Sequence, residues 1–98
     1  MMAEQLAFLA HRQDDAVAVA VRDVGAGPAQ YASLESGTRH EIEVLEPIKL
    51  GHKVALVAIT EGSPVIEYGQ QVGIAKADIV VGALVHVHNI RSARWQLA

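Results

Sequence analysis

The sequence contains no cysteine, so disulfide bonds and thiolate sites are excluded. Lysine and arginine together number only 8, and no run of them forms the basic patch that nucleic-acid binding needs. No apolar segment approaches the roughly 18 residues of a membrane span. The N-terminus also lacks the charged and apolar regions of a signal peptide. We therefore expect a cytoplasmic protein that binds neither nucleic acid nor membrane.

Aromatic residues are scarce as well, at 4% of the chain, whereas apolar residues make up 51%. The core must be built mainly from valine, isoleucine, leucine and alanine, and β-branched side chains favour a sheet. Helix signals are poor, so we expect at most single helical turns near 46–48 and 77–79. The length suits one small domain over 1–98. Its core is expected at about 6–90, with a C-terminal tail at 91–98.

The hydrophobic pattern predicts an all-β domain of short strands separated by small polar or glycine-containing loops. The predicted segments are 6–11 (a strand or a short helix), 16–21, 39–44, 53–59, 64–68, 72–75 and 84–90. The run 53–59 is almost uninterrupted in its apolar character, which predicts the central strand. The segment 22–28 contains two glycines and a proline, which predicts a turn.

The pattern Ile-x-x-Gly-x-x-Val occurs three times, at 48–54, 59–65 and 79–85. In each copy we expect the isoleucine to fill the core, the glycine to turn with a positive φ and the valine to begin the next strand. The copies lie 11 and 20 residues apart, which excludes a regular solenoid. The corner glycines are Gly51, Gly62 and Gly82. The residues expected to be buried together are Ile48, Val54, Leu56, Ile59, Val65, Ile79 and Val85.

Two histidines, His86 and His88, lie two residues apart near the end of the last predicted strand. Side chains of a strand point alternately to its two faces, so these imidazoles would share one face. Imidazole can bind a divalent metal or transfer a proton near neutral pH. The alternative is a pair of histidines on a solvated strand face.

A second group of candidates follows the first corner glycine. His52 could serve as a base or a ligand, and Lys53 as a cationic clamp for a carboxylate. The alternative is a surface turn with a solvated lysine. Asp14 and Asp15 are predicted to cap a turn rather than to catalyse a reaction, and His11 has no clear partner in the sequence.

These corners are accompanied by Gly-His-Lys at 51–53, Ile-Glu-Tyr-Gly at 66–69, Val-Gly-Ile-Ala at 72–75 and His-Val-His-Asn at 86–89. Together they resemble the SAF domain, a β-clip fold found at the N-terminus of altronate and galactarate dehydratases. The segment 14–20 resembles the start of that domain, with an aspartate where the family has asparagine. The same module occurs as a separate small subunit, including the alpha subunit of sulfolactate sulfo-lyase. The resemblance implies an all-β β-clip (SAF) fold.

In the dehydratases a larger catalytic domain follows this module, and 98 residues cannot contain it. The resemblance therefore implies the small subunit of an altronate dehydratase-like lyase, which eliminates water from a sugar acid. Its site would be completed by a separate large catalytic subunit, and the isolated chain is expected to be inactive and to self-associate or expose an apolar docking patch. The alternatives are a sulfolactate sulfo-lyase alpha subunit and a non-catalytic carbohydrate-acid-binding or assembly module.

The resemblance also implies a shared pocket rim for the candidate residues. The catalytic groups would be His52 and His88, the metal ligands His86 and His88, and the substrate contacts Lys53, Tyr68 and Asn89. Tyr68 is alternatively a half-buried residue that ends a strand. The expected cofactor is a divalent metal, Fe²⁺ or Mn²⁺ with Mg²⁺ as the alternative. It would be shared with the large subunit, because no obvious carboxylate accompanies His86, His88 and Asn89 to complete a metal site.

Overall fold

The computed structural model describes residues 6–92, and in this range the chain forms nine short strands and no helix. The prediction of an all-β, β-clip fold is confirmed. The strands are β1 (Phe8–Ala10), β2 (Val17–Ala20), β3 (Gly27–Ser33), β4 (Arg39–Val44), β5 (Lys53–Ala55), β6 (Pro64–Glu67), β7 (Gln70–Ala75), β8 (Leu84–Val85) and β9 (Ile90–Ser92). None of these elements is a helix that could cross a bilayer.

The strands form two sheets. The larger has the order β4-β3-β1-β2-β5-β8, and the smaller has the order β6-β7-β9. All neighbouring strands are antiparallel except β1 and β3, which pair in parallel. Strand β5 is an interior strand, because β2 pairs with one edge and β8 with the other. It lies next to the edge strand β8, so the prediction that its segment forms the central strand is wrong.

The predicted core residues are buried, apart from a half-buried Leu56, but they belong to two clusters rather than one. Ile48 and Val54 lie in the first cluster, and Ile59, Val65, Ile79 and Val85 lie in the second. The central strands separate the two clusters because their side chains alternate between faces. Ala18 of β2 packs into the first cluster, whereas its neighbour Val17 packs into the second.

The corner prediction is confirmed at all three glycines. Gly51, Gly62 and Gly82 have φ angles of 86°, 86° and 89°. In each corner the N–H of the residue after the glycine donates to the carbonyl oxygen three residues earlier, at 2.9 to 3.1 Å. A type II turn requires this positive φ at its third residue. Two of the corner isoleucines also form a bridge with each other, because Ile59 and Ile79 exchange two backbone hydrogen bonds of 2.8 Å.

Several predicted boundaries are wrong. Strand β5 ends at Ala55 rather than at residue 59, and the expected helical turns at 46–48 and 77–79 are replaced by bends that lead into isolated bridges. The sequence does not predict strand β3, because the glycine and proline at its start are typical of a turn. Pro28 is tolerated there since β1 pairs only with the later part of β3, beyond the position of the missing N–H.

Two further boundaries concern the C-terminal half. The connection between β6 and β7 is Tyr68-Gly69, rather than the predicted 69–71. The predicted tail begins with Arg91 and Ser92 in strand β9, and residues 93–98 lie outside the described part of the chain. The last predicted strand, 84–90, is interrupted, and this change reshapes the candidate site.

We predict that Gly82→Ala destabilises the fold more than Gly62→Ala does. Both glycines have the same positive φ, which costs a residue with a Cβ about 1 kcal/mol. A Cβ at Gly62 meets nothing within 4 Å, whereas a Cβ at Gly82 would clash with the carbonyl oxygen of Glu43 and lie 3.3 Å from Cγ of Leu45. The loss at Gly82 should therefore be about twice as large. Chemical denaturation of both variants measures the difference.

The control is Gly25→Ala, because Gly25 lacks a positive φ and has open space at its Cβ position. Its free energy of unfolding should match or exceed that of the parent chain. Equal losses at Gly62 and Gly82 would show that the close approach of Glu43 to Gly82 does not contribute.

Candidate functional site

The register between β5 and β8 brings two histidines together. Lys53 pairs with Val85 and Val54 pairs with Leu84, so the same register places His52 opposite His86. Residues directly opposite each other on antiparallel strands have side chains within contact distance. The two imidazole rings are stacked, with centroids 4.7 Å apart and an interplanar angle of 28°.

An open groove of about 270 Å³ lies at this point, which we call the histidine groove. Its lining residues are Gly51, His52, Lys53, Val85, His86, Val87 and Ile90. It combines two imidazoles, which can carry protons, with a partly apolar wall to which Lys53 contributes. A small molecule in the groove could therefore exchange protons with the imidazoles.

Lys53 is already paired within the chain. Its Nζ lies 3.1 Å from Oε1 of Glu67, and the side chains of Lys53 and Glu67 are 34% and 13% exposed. A ligand carboxylate in the histidine groove would compete with Glu67 for the same ammonium group. The predicted role of Lys53 as a carboxylate clamp therefore requires this exchange of partners.

The predicted strand through residue 90 is wrong, because the chain turns after β8. The N–H of His86 donates to Oδ1 of Asn89 at 2.9 Å, and Nδ2 of Asn89 donates to the carbonyl oxygen of Leu84 at 2.7 Å. The N–H groups of Asn89 and Ile90 both donate to the carbonyl oxygen of His86 at 3.0 Å. The asparagine side chain supplies hydrogen bonds that a strand would have made with a neighbour, so the strand ends.

This turn separates residues that the sequence placed on one face. His86 lines the histidine groove, whereas His88 and Asn89 are not among its lining residues. His88 is exposed on the turn. Both polar side-chain atoms of Asn89 bind the backbone, so a substrate hydroxyl would have to share them. The predicted roles of His88 and Asn89 remain predictions, but they do not rest on a common strand face.

Tyr68 lies at a different groove. Its ring centroid is 4.8 Å from that of His11, and the guanidinium carbon of Arg12 lies 5.3 Å from the same centroid. These residues, with Leu34 and Glu35, line an opening of about 310 Å³ that we call the tyrosine groove. Tyr68 is therefore not among the residues that line the histidine groove, and its predicted substrate contact there remains untested.

A buried carboxylate holds the tyrosine groove together. Asp15 is 2% exposed, and its Oδ2 accepts hydrogen bonds from the N–H groups of His11 and Arg12 at 3.1 and 3.2 Å. Its Oδ1 accepts from the N–H groups of Tyr68 and Gly69 at 2.7 and 3.4 Å. The predicted turn cap is present, and the bonds to the β6–β7 connection are an addition for which the sequence carries no local signal.

The described residues do not hold a complete metal site. Within 6–92, no three histidine or acidic side chains lie close enough together to bind one ion. His52 and His86 could provide two imidazole ligands if their stacked rings turned toward a common point. The donor set among residues 6–92 thus fits only a minority share of a metal site.

Comparison with known proteins identifies the family. The sequence model described as the altronate/galactarate dehydratase SAF domain matches residues 6–93. An altronate dehydratase of Bacillus subtilis is 40% identical over 82 residues, which cover 84% of this chain and 15% of that protein. An altronate dehydratase of Escherichia coli is also 40% identical, over 78 residues. The chain thus spans about 15% of the length of these dehydratases.

A shorter relative is matched over nearly its whole length. The (2R)-sulfolactate sulfo-lyase subunit alpha of Chromohalobacter salexigens is 34% identical over 91 residues. The alignment covers 90% of this chain and 96% of that subunit.

Proposed function

Since this chain belongs to the altronate/galactarate dehydratase SAF domain family, we propose that it is the small subunit of an altronate dehydratase-like lyase. The reaction would eliminate water from a sugar acid, with a large catalytic subunit supplying the rest of the site. The observation that carries the proposal is the coverage of the relatives. The same chain aligns with 96% of a protein named as a subunit and with 15% of enzymes named as dehydratases.

The histidine groove supplies chemistry that suits this reaction. In the elimination, the carbon next to the carboxylate loses a proton, and the adjacent carbon loses its hydroxyl group, which leaves as water once it has gained a proton. Lys53 would bind the substrate carboxylate in place of Glu67. His52 and His86 are neighbouring imidazoles that can accept the first proton and deliver the second.

The expected divalent metal, Fe²⁺ or Mn²⁺ with Mg²⁺ as the alternative, belongs to this proposal. When bound, it would stabilise the negative charge that develops beside the carboxylate and polarise the departing hydroxyl. In a metal-bound site His86 would be a ligand instead of a proton carrier, alongside ligands from the large subunit, and His52 would remain for proton transfer. His88 is exposed on the turn after β8, where the large subunit could meet it.

We expect the isolated chain and the isolated large subunit each to be inactive, and their mixture to eliminate water from altronate or galactarate. The large subunit is best taken from the same genome and purified separately. Formation of the keto acid product measures turnover, and gel filtration measures assembly. Full activity of either subunit alone would contradict the proposal. If the large subunit alone were active but less stable, the chain would be an assembly module.

A second candidate is the alpha subunit of a sulfolactate sulfo-lyase, favoured by the coverage of 96% of such a subunit. The histidine groove would bind the carboxylate of sulfolactate in the same way. The C–S bond would then break in place of the C–O bond, and the sulfo group would leave as sulfite instead of the hydroxyl leaving as water. The same reconstituted complex, assayed with (2R)-sulfolactate beside altronate and galactarate, decides between the two substrates.

A further inference from the structure

Tyr68 stands where the backbone would favour another residue. Tyr68 and Gly69 form the two-residue loop between β6 and β7, with φ angles of 56° and 72°. This is a type I′ hairpin turn, which favours asparagine followed by glycine. A bulky aromatic residue at positive φ is an outlier, and such outliers are often associated with functional sites. Turn formation therefore does not explain the tyrosine.

The ring is instead part of an aromatic and cationic cluster. It is 59% exposed, and it packs against the imidazole of His11 on one side and the guanidinium of Arg12 on another. A Cβ at Gly69 would lie 2.5 Å from Nη1 of Arg12, so the glycine makes room for the guanidinium. Among residues 6–92, no acidic side chain forms an ion pair with Arg12. The cation is thus positioned on an aromatic surface with its charge available to a ligand.

The backbone that carries the cluster is held in place before any ligand arrives. The carboxylate of Asp15 binds the backbone of both segments that carry it, the turn after β1 and the β6–β7 connection. A binding site is more effective when it is built on a fixed backbone. The tyrosine groove has such support for its backbone, and its volume of about 310 Å³ suits a small molecule.

We propose that the tyrosine groove binds a small hydroxy carboxylate. Arg12 can pair with the carboxylate through two parallel N–H donors. The rings of Tyr68 and His11 offer a face for the carbon chain. One oxygen of Glu35 accepts the N–H of Gln13 at 3.1 Å, which leaves the other oxygen to accept a hydroxyl group. The class of ligand rests on the proposed function, whereas the site rests on this geometry alone.

The test is an NMR titration of the full chain with gluconate, which carries both a carboxylate and hydroxyl groups. Sorbitol lacks the carboxylate and acetate lacks the hydroxyl groups, so both serve as matched ligands. We expect gluconate to shift the amide signals of Arg12, Tyr68 and Gly69 with a dissociation constant in the millimolar range. Arg12→Gln should weaken binding about tenfold or more, because a charged hydrogen-bonded pair is lost. Arg39→Gln removes the same charge from exposed strand β4 and should leave binding unchanged.

A second variant separates binding from folding. Tyr68→Asn places the preferred residue in the type I′ turn, so its melting temperature should stay within a few degrees of the parent value while gluconate binding is lost. A large fall in melting temperature would assign the ring a structural role and overturn the inference. Absence of any gluconate response would also overturn it. A response at His52 and His86 but none at Tyr68 would reject the tyrosine groove and leave the proposed lyase function standing.

Discussion

In the complex reconstituted with the proposed large subunit, His86→Ala and His52→Ala are each expected to lower turnover by about 10²–10⁴-fold, the usual loss when a proton-transfer group is removed. The reason is their position. They are the two imidazoles that line the histidine groove, and their rings lie 4.7 Å apart. Steady-state turnover at saturating substrate measures the effect, and gel filtration confirms that the variant subunits still assemble.

His40→Ala is the matched control. His40 lies on β4, at the edge of the larger sheet, where its ring stacks on Tyr31 at 5.1 Å. Its loss should leave turnover unchanged. His88→Ala adds a discriminating comparison, because the sequence motif assigns His88 a catalytic role. A large loss with His88→Ala, combined with normal turnover of both groove variants, would move the chemistry to the exposed turn and contradict the histidine groove as the site.

The corners of the fold could be predicted from sequence because their cause is local. Glycine tolerates a positive φ at no steric cost, so a glycine at a fixed distance between an isoleucine and a valine is a strong indication of a turn. Gly51, Gly62 and Gly82 all have the positive φ that this pattern predicts. The division of the core into two clusters could not be predicted in the same way. It depends on β2 and β5 lying in the middle of the structure with both faces covered.

The candidate site was predicted in composition but not in arrangement. His52 and His86 meet because of the register between β5 and β8. The sequence of neither segment contains a pattern that predicts the register between two strands so far apart in the chain. The alternation of valine and polar residues around His88 is typical of a strand, although the chain turns there. The side chain of Asn89 prevents that strand, because it satisfies backbone groups that would otherwise need a partner strand.

The contacts of the buried residue Asp15 could also be predicted only in part. Its proximity to His11 and Arg12 in sequence indicates a turn cap, and this part was predicted. Its Oδ1 also accepts a hydrogen bond from the N–H of Tyr68, which lies 53 residues further along the chain, and neither segment contains a pattern that predicts this contact. This contact joins the turn after β1 to the β6–β7 connection, together with the backbone hydrogen bond from the N–H of Ala16 to the carbonyl oxygen of Ile66 nearby.

Asp15→Ala is expected to lower the free energy of unfolding by about 4 kcal/mol or more, because the carboxylate accepts four backbone hydrogen bonds and a bond to a charged group typically contributes about 1.5–3 kcal/mol, with less from long ones. The residue is 2% exposed, so water cannot replace it without opening the two segments. Urea denaturation measures the loss. The amide signals of Tyr68 and Gly69 should move at the same time, since their acceptor is gone.

Asp14→Ala is the control for this experiment, because the neighbouring aspartate is exposed. Its effect should stay within about 0.5 kcal/mol, as for most surface substitutions. Asp15→Asn should fall between the two. Its amide oxygen can still accept from Tyr68 and Gly69, but its NH₂ group would then face the N–H groups of His11 and Arg12. If Asp15→Ala were as stable as Asp14→Ala, the carboxylate would not be the link between the two segments, and the tyrosine groove would have to be held by its side-chain stacking alone.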